Sequence, residues 1–169
     1  METKRIYKLF GCCLLGAAAL LSSASCSSNE SDSDTLKGYN KIRQDSSFYN
    51  AVTRITNIQL VDIRSAEEYK AGHIPYATNV EANYANSDDV NSPFCKEILR
   101  RFSMDNDIFL YGGKAQKAEN WYAPGLVSTI GWGPKRTYHY LNDYESWVEK
   151  GYFICTDTSR VAGCPCQNQ

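Results

Sequence analysis

The sequence predicts an α/β fold built on a small, mostly parallel sheet. From about residue 39 onward, short apolar runs with the character of buried strands alternate with segments that carry helix start and stop signals. No internal repeat and no low-complexity tract interrupts this alternation. A chain of 169 residues, 43% of them hydrophobic, suits one compact domain with short appendages.

The domain is expected to open with a short strand over residues 40–43. Asp45 or Ser46 can cap the helix that follows, because a short polar side chain accepts hydrogen bonds from the first free backbone N–H groups. Phe48 and Val52 are one helical turn apart, so this helix is predicted to bury them on one face.

A buried parallel strand is predicted over residues 58–63, where apolar residues dominate. Residues 66–70 then form a short helix that Gly72 closes, since glycine commonly ends helices. Residues 77–80 give a further strand, and residues 81–91 a polar loop.

Ser92 followed by Pro93 marks the start of the next helix, as a cap and a first helical residue. The side chains predicted to face the sheet recur every four residues: Phe94, Ile98 and Phe102. This helix should therefore pack on the sheet.

Residues 108–111 form the next apolar strand, which the glycines at 112–113 end abruptly. Pro124 is expected to interrupt or kink the following helix, because proline lacks a backbone N–H. The last strand covers residues 137–141, and Asn142 begins a capping pattern for the final helix.

The first 25 residues have the organisation of an export signal. A basic start with Lys4, Arg5 and Lys8 precedes an apolar stretch over residues 9–21, which is too short to span a bilayer comfortably. The small residues 22–25 lead to Cys26, and this ending resembles the lipobox of bacterial lipoproteins. Cys26 is therefore expected to carry a lipid; the alternatives are ordinary cleavage, which leaves a soluble exported protein, or an uncleaved anchor.

The expected organisation is a signal peptide (1–25), a flexible acidic and serine-rich tether (26–38), the folded domain (39–155) and a cysteine-containing tail (156–169). The predicted location is the bacterial cell envelope, with the chain anchored to a membrane by lipid and either periplasmic or surface-exposed. A formal net charge of -1 and the absence of long runs of like charge argue against a nucleic-acid partner.

Four segments closely resemble the first signature of the rhodanese family: residues 61–64 (VDIR), 67–69 (EEY), 72–75 (GHIP) and 77–79 (ATN). Residues 108–111, 131–132 and 144–152 are similar to later parts of the same family, so the resemblance covers about residues 39–155. It implies a three-layer α/β/α fold of the rhodanese type with a small, mostly parallel central sheet. It implies no cofactor and no metal.

In rhodaneses a cysteine directly after the strand starts a loop whose backbone N–H groups cradle the thiolate, the persulfide and the anionic substrate. The resemblance aligns that loop with Gly112, Gly113, Lys114, Ala115, Gln116 and Lys117. Glycine thus stands at the nucleophile position and lysine at the position of an arginine, where it lacks the bidentate grip on an anion. We expect no catalytic residue here, but a loop that still binds a small anion weakly.

Asp62, Arg64 and His73 belong to the family signature and are expected at the edge of this site, where the carboxyl end of the strand lies. Arg64 can form an ion pair with Glu68 one helical turn away. His73 lies in a turn and is expected to satisfy backbone groups rather than to act as an acid.

Beyond Cys26, the exported chain contains an even number of cysteines, which favours disulfides in an oxidising compartment. They are Cys95, Cys155, Cys164 and Cys166. Their pairing is open, and the two tail cysteines could instead serve redox chemistry or sulfur relay. Without a neighbouring histidine they make a poor zinc site.

The sequence therefore favours a non-catalytic rhodanese-like module that is tethered to a membrane and binds a small anion or a protein partner. The alternative is an exported sulfurtransferase or thiol-redox protein in which Cys164 or Cys166 carries the sulfur. If the chain is an enzyme, a thiosulfate-type sulfurtransferase is expected.

Overall fold

The structure, a computed structural model, describes residues 38–82, 89–114, 117 and 119–156. The predicted signal peptide, nearly all of the tether and nearly all of the tail lie outside these residues. The described residues cover most of the predicted domain (39–155), and Cys26, Cys164 and Cys166 lie outside them.

Five parallel strands form one sheet in the order β1-β5-β4-β2-β3. The strands are β1 (Asn40–Ile42), β2 (Gln59–Asp62), β3 (Ala77–Asn79), β4 (Ile108–Tyr111) and β5 (Thr137–Tyr140). All four residues of β4 are buried, because this central strand is covered on both faces. Each predicted strand is present, shorter than predicted by one or two residues except for β4.

The described residues form six helices, of which the last follows β5: α1 (Asp45–Arg54), α2 (Ala66–Ala71), α3 (Pro93–Arg101), α4 (Glu119–Val127), α5 (Gly133–Arg136) and α6 (Asp143–Glu149). A π-helical segment, Ser128–Trp132, lies between α4 and α5. Ser92 caps α3 by accepting a hydrogen bond from the backbone N–H of Cys95 (3.2 Å), as its sequence predicts.

Two apolar clusters flank the sheet. On one face, Phe94 and Ile98 of α3 and Leu126 of α4 pack against Val61 and Leu110. On the other face, the clustered side chains come from α1, α6 and the opposite side of the strands: Phe48, Val52, Leu60, Tyr140 and Trp147 are among them. The fold is therefore the three-layer α/β/α arrangement that the sequence predicts.

Neither Asp45 nor Ser46 caps α1, because the helix begins at Asp45 and its N-cap residue, Gln44, makes no side-chain cap hydrogen bond. Two further predictions about helices are wrong. The first concerns α4, which continues through Pro124 without a break; the backbone departs from helical geometry only at Gly131 (φ 157°). The second concerns Asn142, which makes no side-chain cap hydrogen bond, because its amide instead donates to Arg43 O (2.7 Å) and Asp45 Oδ1 (2.8 Å). Asp143 accepts the hydrogen bond from Ser146 N (3.1 Å) in its place.

Within the part of the chain that the structure describes, no helix has both the length and the apolar composition needed to cross a bilayer.

Candidate functional site

The candidate site lies where β2 and β4 end, at the carboxyl edge of the sheet. Asp62 is the last residue of β2 and Gly112 directly follows β4, and the two strands are hydrogen-bonded neighbours. The carbonyl oxygen of Gly112 accepts a hydrogen bond from Tyr144 N at the start of α6 (3.0 Å). The predicted loop and the residues of the family signature therefore meet at one place, the edge at which α/β folds bind ligands.

Arg64 forms an ion pair with Asp62, not with Glu68 as the sequence predicts. Its Nη2 lies 2.6 Å from Asp62 Oδ2, its Nε donates to the same carboxylate (3.0 Å), and Nη2 also donates to the carbonyl oxygen of Gly72 (2.7 Å). The guanidinium stacks over the ring of Tyr144 at 3.7 Å. Asp62 is completely buried and Arg64 nearly so, and a buried guanidinium favours a bidentate carboxylate partner over a half-exposed one.

Tyr111 completes this buried network and is a residue that the sequence analysis did not single out. Its hydroxyl donates to Asp62 Oδ2 (2.6 Å) and accepts from Ile74 N (3.1 Å). Burial, together with the Asp62 carboxylate, raises the pKa of Tyr111 well above its ordinary value. The side chain therefore stays a phenol and a hydrogen-bond donor.

Glu68 instead pairs with Lys117, whose Nζ lies 2.9 Å from Glu68 Oε1. The other carboxylate oxygen of Glu68 accepts from Ser65 N (3.0 Å) and Ser65 Oγ (3.0 Å) in a capping box at the start of α2. Burial raises the pKa of Glu68, but the hydrogen bonds from Lys117 and Ser65 outweigh it and lower that pKa overall. The cation at the arginine position of the loop is thus bound to a carboxylate of this chain.

His73 satisfies backbone groups in the structure. Its Nδ1 lies 3.0 Å from Tyr69 O, its ring stacks on that of Tyr69 at 3.8 Å, and its backbone pairs with that of Cys155 (2.8 and 2.9 Å). The side chain is 5% exposed. These contacts connect the signature turn to the end of the folded domain.

The predicted loop is described at Gly112, Gly113, Lys114 and Lys117, whereas Ala115 and Gln116 lie outside the described residues. No hydrogen bond joins the backbone N–H of Gly112, Gly113 or Lys114 to another described residue. Lys114 is exposed. Three N–H donors and one lysine ammonium are therefore present at the start of the loop.

Asn120, in the first turn of α4, is the second residue that the sequence analysis missed. Its Nδ2 donates to the carbonyl oxygens of Gly113 (2.6 Å) and Lys114 (3.1 Å). Its Oδ1 is buried and accepts no hydrogen bond from any described residue. A polar loop next to a helix start gives no signal for such a contact, because Asn120 reaches back across six residues to the loop.

The two described cysteines lie in different surroundings. Cys95 is a free and completely buried thiol in the cluster under α3, and burial raises its pKa. Cys155 is also completely buried and pairs with the backbone of His73. Among the described residues, no group of three or more histidine, cysteine, aspartate or glutamate side chains could hold a metal ion.

Comparisons with known proteins agree with this architecture. The family described as the rhodanese-like domain matches residues 47–150. The BH2092 protein of Bacillus halodurans is similar in structure, with 20% identity, a TM-score of 0.53 and coverage of 72% of this chain and 79% of that chain. No curated protein matches the chain.

Two further solved structures are similar. The rhodanese-like domain of the Alr3790 protein of Anabaena sp. has 15% identity and a TM-score of 0.53, over 71% of this chain and 83% of its own. An uncharacterised protein of Saccharomyces cerevisiae has 23% identity and a TM-score of 0.51, over 66% of this chain and 92% of its own. At these identities the likeness concerns the fold alone.

Proposed function

Because the chain belongs to the rhodanese-like domain family, we propose that it is a membrane-tethered module of that family without sulfurtransferase activity, which binds a small anion or a protein partner. The observation that carries the proposal is Gly112. It directly follows β4, at the position that the family resemblance assigns to the nucleophile. Sulfur transfer needs a thiolate that becomes a persulfide, and glycine has no side chain to provide one.

Cys95 does not replace the missing nucleophile. Its side chain is completely buried, and its pKa is raised by that burial. A thiolate, not a thiol, is the nucleophile, and a buried cysteine with a raised pKa is unreactive. Cys155, the other described cysteine, is completely buried as well.

Anion binding by the loop is supported by the N–H groups of Gly112, Gly113 and Lys114 and by the exposed ammonium of Lys114. Lys117 contributes less, since Glu68 already neutralises its charge. We therefore propose weak, salt-sensitive binding that is centred on Gly113 and Lys114.

Cyanolysis of the purified protein with thiosulfate tests the first part of the proposal. The wild-type protein is expected to form no more thiocyanate than a protein-free control, because no persulfide can form on Gly112. Turnover that disappears in Cys164→Ser or Cys166→Ser would instead establish the alternative of a tail sulfur.

In the same preparation, sulfate should shift the backbone amide resonances of Gly113 and Lys114; shifts spread over the whole surface would contradict anion binding there.

We also propose that Cys155 forms a disulfide in the exported protein. Its support is that Cys155 is completely buried at the start of the cysteine-containing tail, whereas Cys95 is a free thiol. Once the signal is removed and Cys26 lipidated, Cys164 and Cys166 remain as partners, so one of them is expected to be consumed by the bond. Mass spectrometry after alkylation without reduction should find Cys155 unmodified; an alkylated Cys155 would contradict the proposal and favour free tail thiols.

A further inference from the structure

Asn120 fills the space that a side chain at position 112 would need. A Cβ atom built on Gly112 would overlap the Asn120 Oδ1 and would lie 2.7 Å from its Cγ. The separations from Oδ1 and from Cγ are both far below an ordinary contact between non-bonded heavy atoms. Asn120 itself is 5% exposed, so the surrounding protein leaves its carboxamide little room to move away.

The orientation of the Asn120 carboxamide follows from its partners. Its NH₂ group donates to two carbonyl oxygens, those of Gly113 and Lys114. Exchanging the oxygen and the nitrogen would place an acceptor against both carbonyls and lose both hydrogen bonds. The oxygen therefore faces Gly112, where it is buried and has no donor.

We propose that Asn120 is the positioning residue that closes this loop to a sulfur nucleophile. It acts in two ways. Its NH₂ group holds the carbonyls of Gly113 and Lys114 toward α4, and its oxygen occupies the place of a side chain at position 112. This inference rests on the proposed lack of sulfurtransferase activity. It assigns that lack to two residues, Gly112, which has no side chain, and Asn120, which occupies the space of one.

The electrostatic consequence is as specific as the steric one. The negative end of the Asn120 carbonyl dipole points to the position where the family chemistry needs a thiolate. A negative partial charge disfavours a neighbouring anion and raises the pKa of a neighbouring thiol. A cysteine at position 112 would therefore be strained and poorly ionised as long as Asn120 is present.

The test compares Gly112→Cys, Asn120→Ala and the double variant in the full-length protein. Thermal unfolding is measured for each, and iodoacetamide alkylation at position 112 is followed by mass spectrometry over a range of pH. Gly112→Cys alone should lower the Tm and react slowly. In the double variant Asn120→Ala should relieve much of that loss, and alkylation near neutral pH should be roughly threefold faster, because a larger thiolate fraction outweighs the lower nucleophilicity of that thiolate.

Gly72→Ala is the matched control. A Cβ atom at Gly72 would overlap the Tyr144 hydroxyl and lie 3.4 Å from Ile154 Cδ1, neither of which is a hydrogen-bond partner of Asn120. Its effect on the Tm should therefore add to that of Asn120→Ala, whereas the effects at Gly112 and Asn120 should be strongly non-additive. If Gly112→Cys does not fold, Gly112→Ala and its double variant with Asn120→Ala provide the same comparison of Tm.

A Gly112→Cys protein as stable as the wild type and as reactive as the double variant would overturn the role of Asn120. Additive effects at Gly112 and Asn120 would do the same. Cyanolysis by the wild-type protein would overturn the proposed function but not the coupling between Gly112 and Asn120. The two failures are therefore distinguishable.

Discussion

Asp62 accepts hydrogen bonds from the side chains of Arg64 and Tyr111 in the completely buried part of the site. The residue type and spacing of Asp62 and Arg64 predict their position at the strand end, since alternate residues of a strand share a face. The sequence does not predict their pairing with each other or the part played by Tyr111. These depend on how β4 aligns with β2, which places Tyr111 opposite Asp62.

Tyr111→Phe tests the importance of this network at the residue scale. We expect the free energy of unfolding to fall by about 1–3 kcal/mol, because the buried Asp62 carboxylate loses a donor and Ile74 N loses an acceptor. Tyr138→Phe is the control: its ring stacks on Phe109, and its hydroxyl bonds to no described residue. Equal losses from the two substitutions in urea titration would mean that the network adds nothing beyond packing.

At the scale of elements, the strands follow from sequence because buried parallel strands are short apolar runs with turn residues on both sides. The side-chain cap expected from Asn142 is absent, because Asn142 donates to Asp45 of α1, the other helix of the same layer. The kink expected at Pro124 is absent, and the chain departs from helical geometry seven residues later, at Gly131. The sequence shows that the loop begins with Gly112, whereas it gives no signal for the contact of Asn120 with that loop.

Asp45 joins three elements. Its Oδ1 accepts hydrogen bonds from Tyr140 Oη at the end of β5 (2.6 Å) and from Asn142 (2.8 Å) and Ser146 (3.2 Å) around the start of α6. Burial raises the pKa of Asp45, but these hydrogen bonds outweigh it and lower the pKa from its ordinary value of 3.8. Asp45 thus fastens α1 to α6 on one side of the sheet.

Asp45→Ala should therefore lower the free energy of unfolding by about 2 kcal/mol near neutral pH. A carboxyl whose pKa is lower in the folded state contributes stability above its unfolded pKa, and this contribution is lost as pH falls through the folded pKa. The difference between Asp45→Ala and the wild type should accordingly shrink below about pH 4 in urea titrations. Glu149→Ala, which removes an exposed carboxylate of α6, is the control; a pH-independent difference at Asp45 would contradict this assignment.

At the scale of the whole molecule, the end of the folded domain pairs with the turn that follows α2. Cys155 pairs with His73 through two backbone hydrogen bonds, and Trp147 of α6 donates to Phe153 O (2.9 Å). Residues 150–155 therefore belong to the folded body, on the side of the sheet that also holds α1 and α2. The candidate site lies at the carboxyl edge of that sheet, next to Gly112, which directly follows β4.

The last prediction concerns the tether, for which the evidence is sequence alone. Cys26 follows an apolar stretch and a run of small residues. A labelled palmitate analogue supplied to bacteria that express the protein should therefore mark it. Cys26→Ser should abolish the mark and release the protein into the soluble fraction. Cys95→Ser, which changes a buried thiol of the domain, should leave the mark in place. The thirteen residues from Cys26 to Gly38 can reach about 45 Å when extended, which would hold the loop close to the membrane surface and favour a partner located there. An unlabelled, soluble exported protein would refute the lipid anchor, and the domain would then be free to meet partners throughout the compartment.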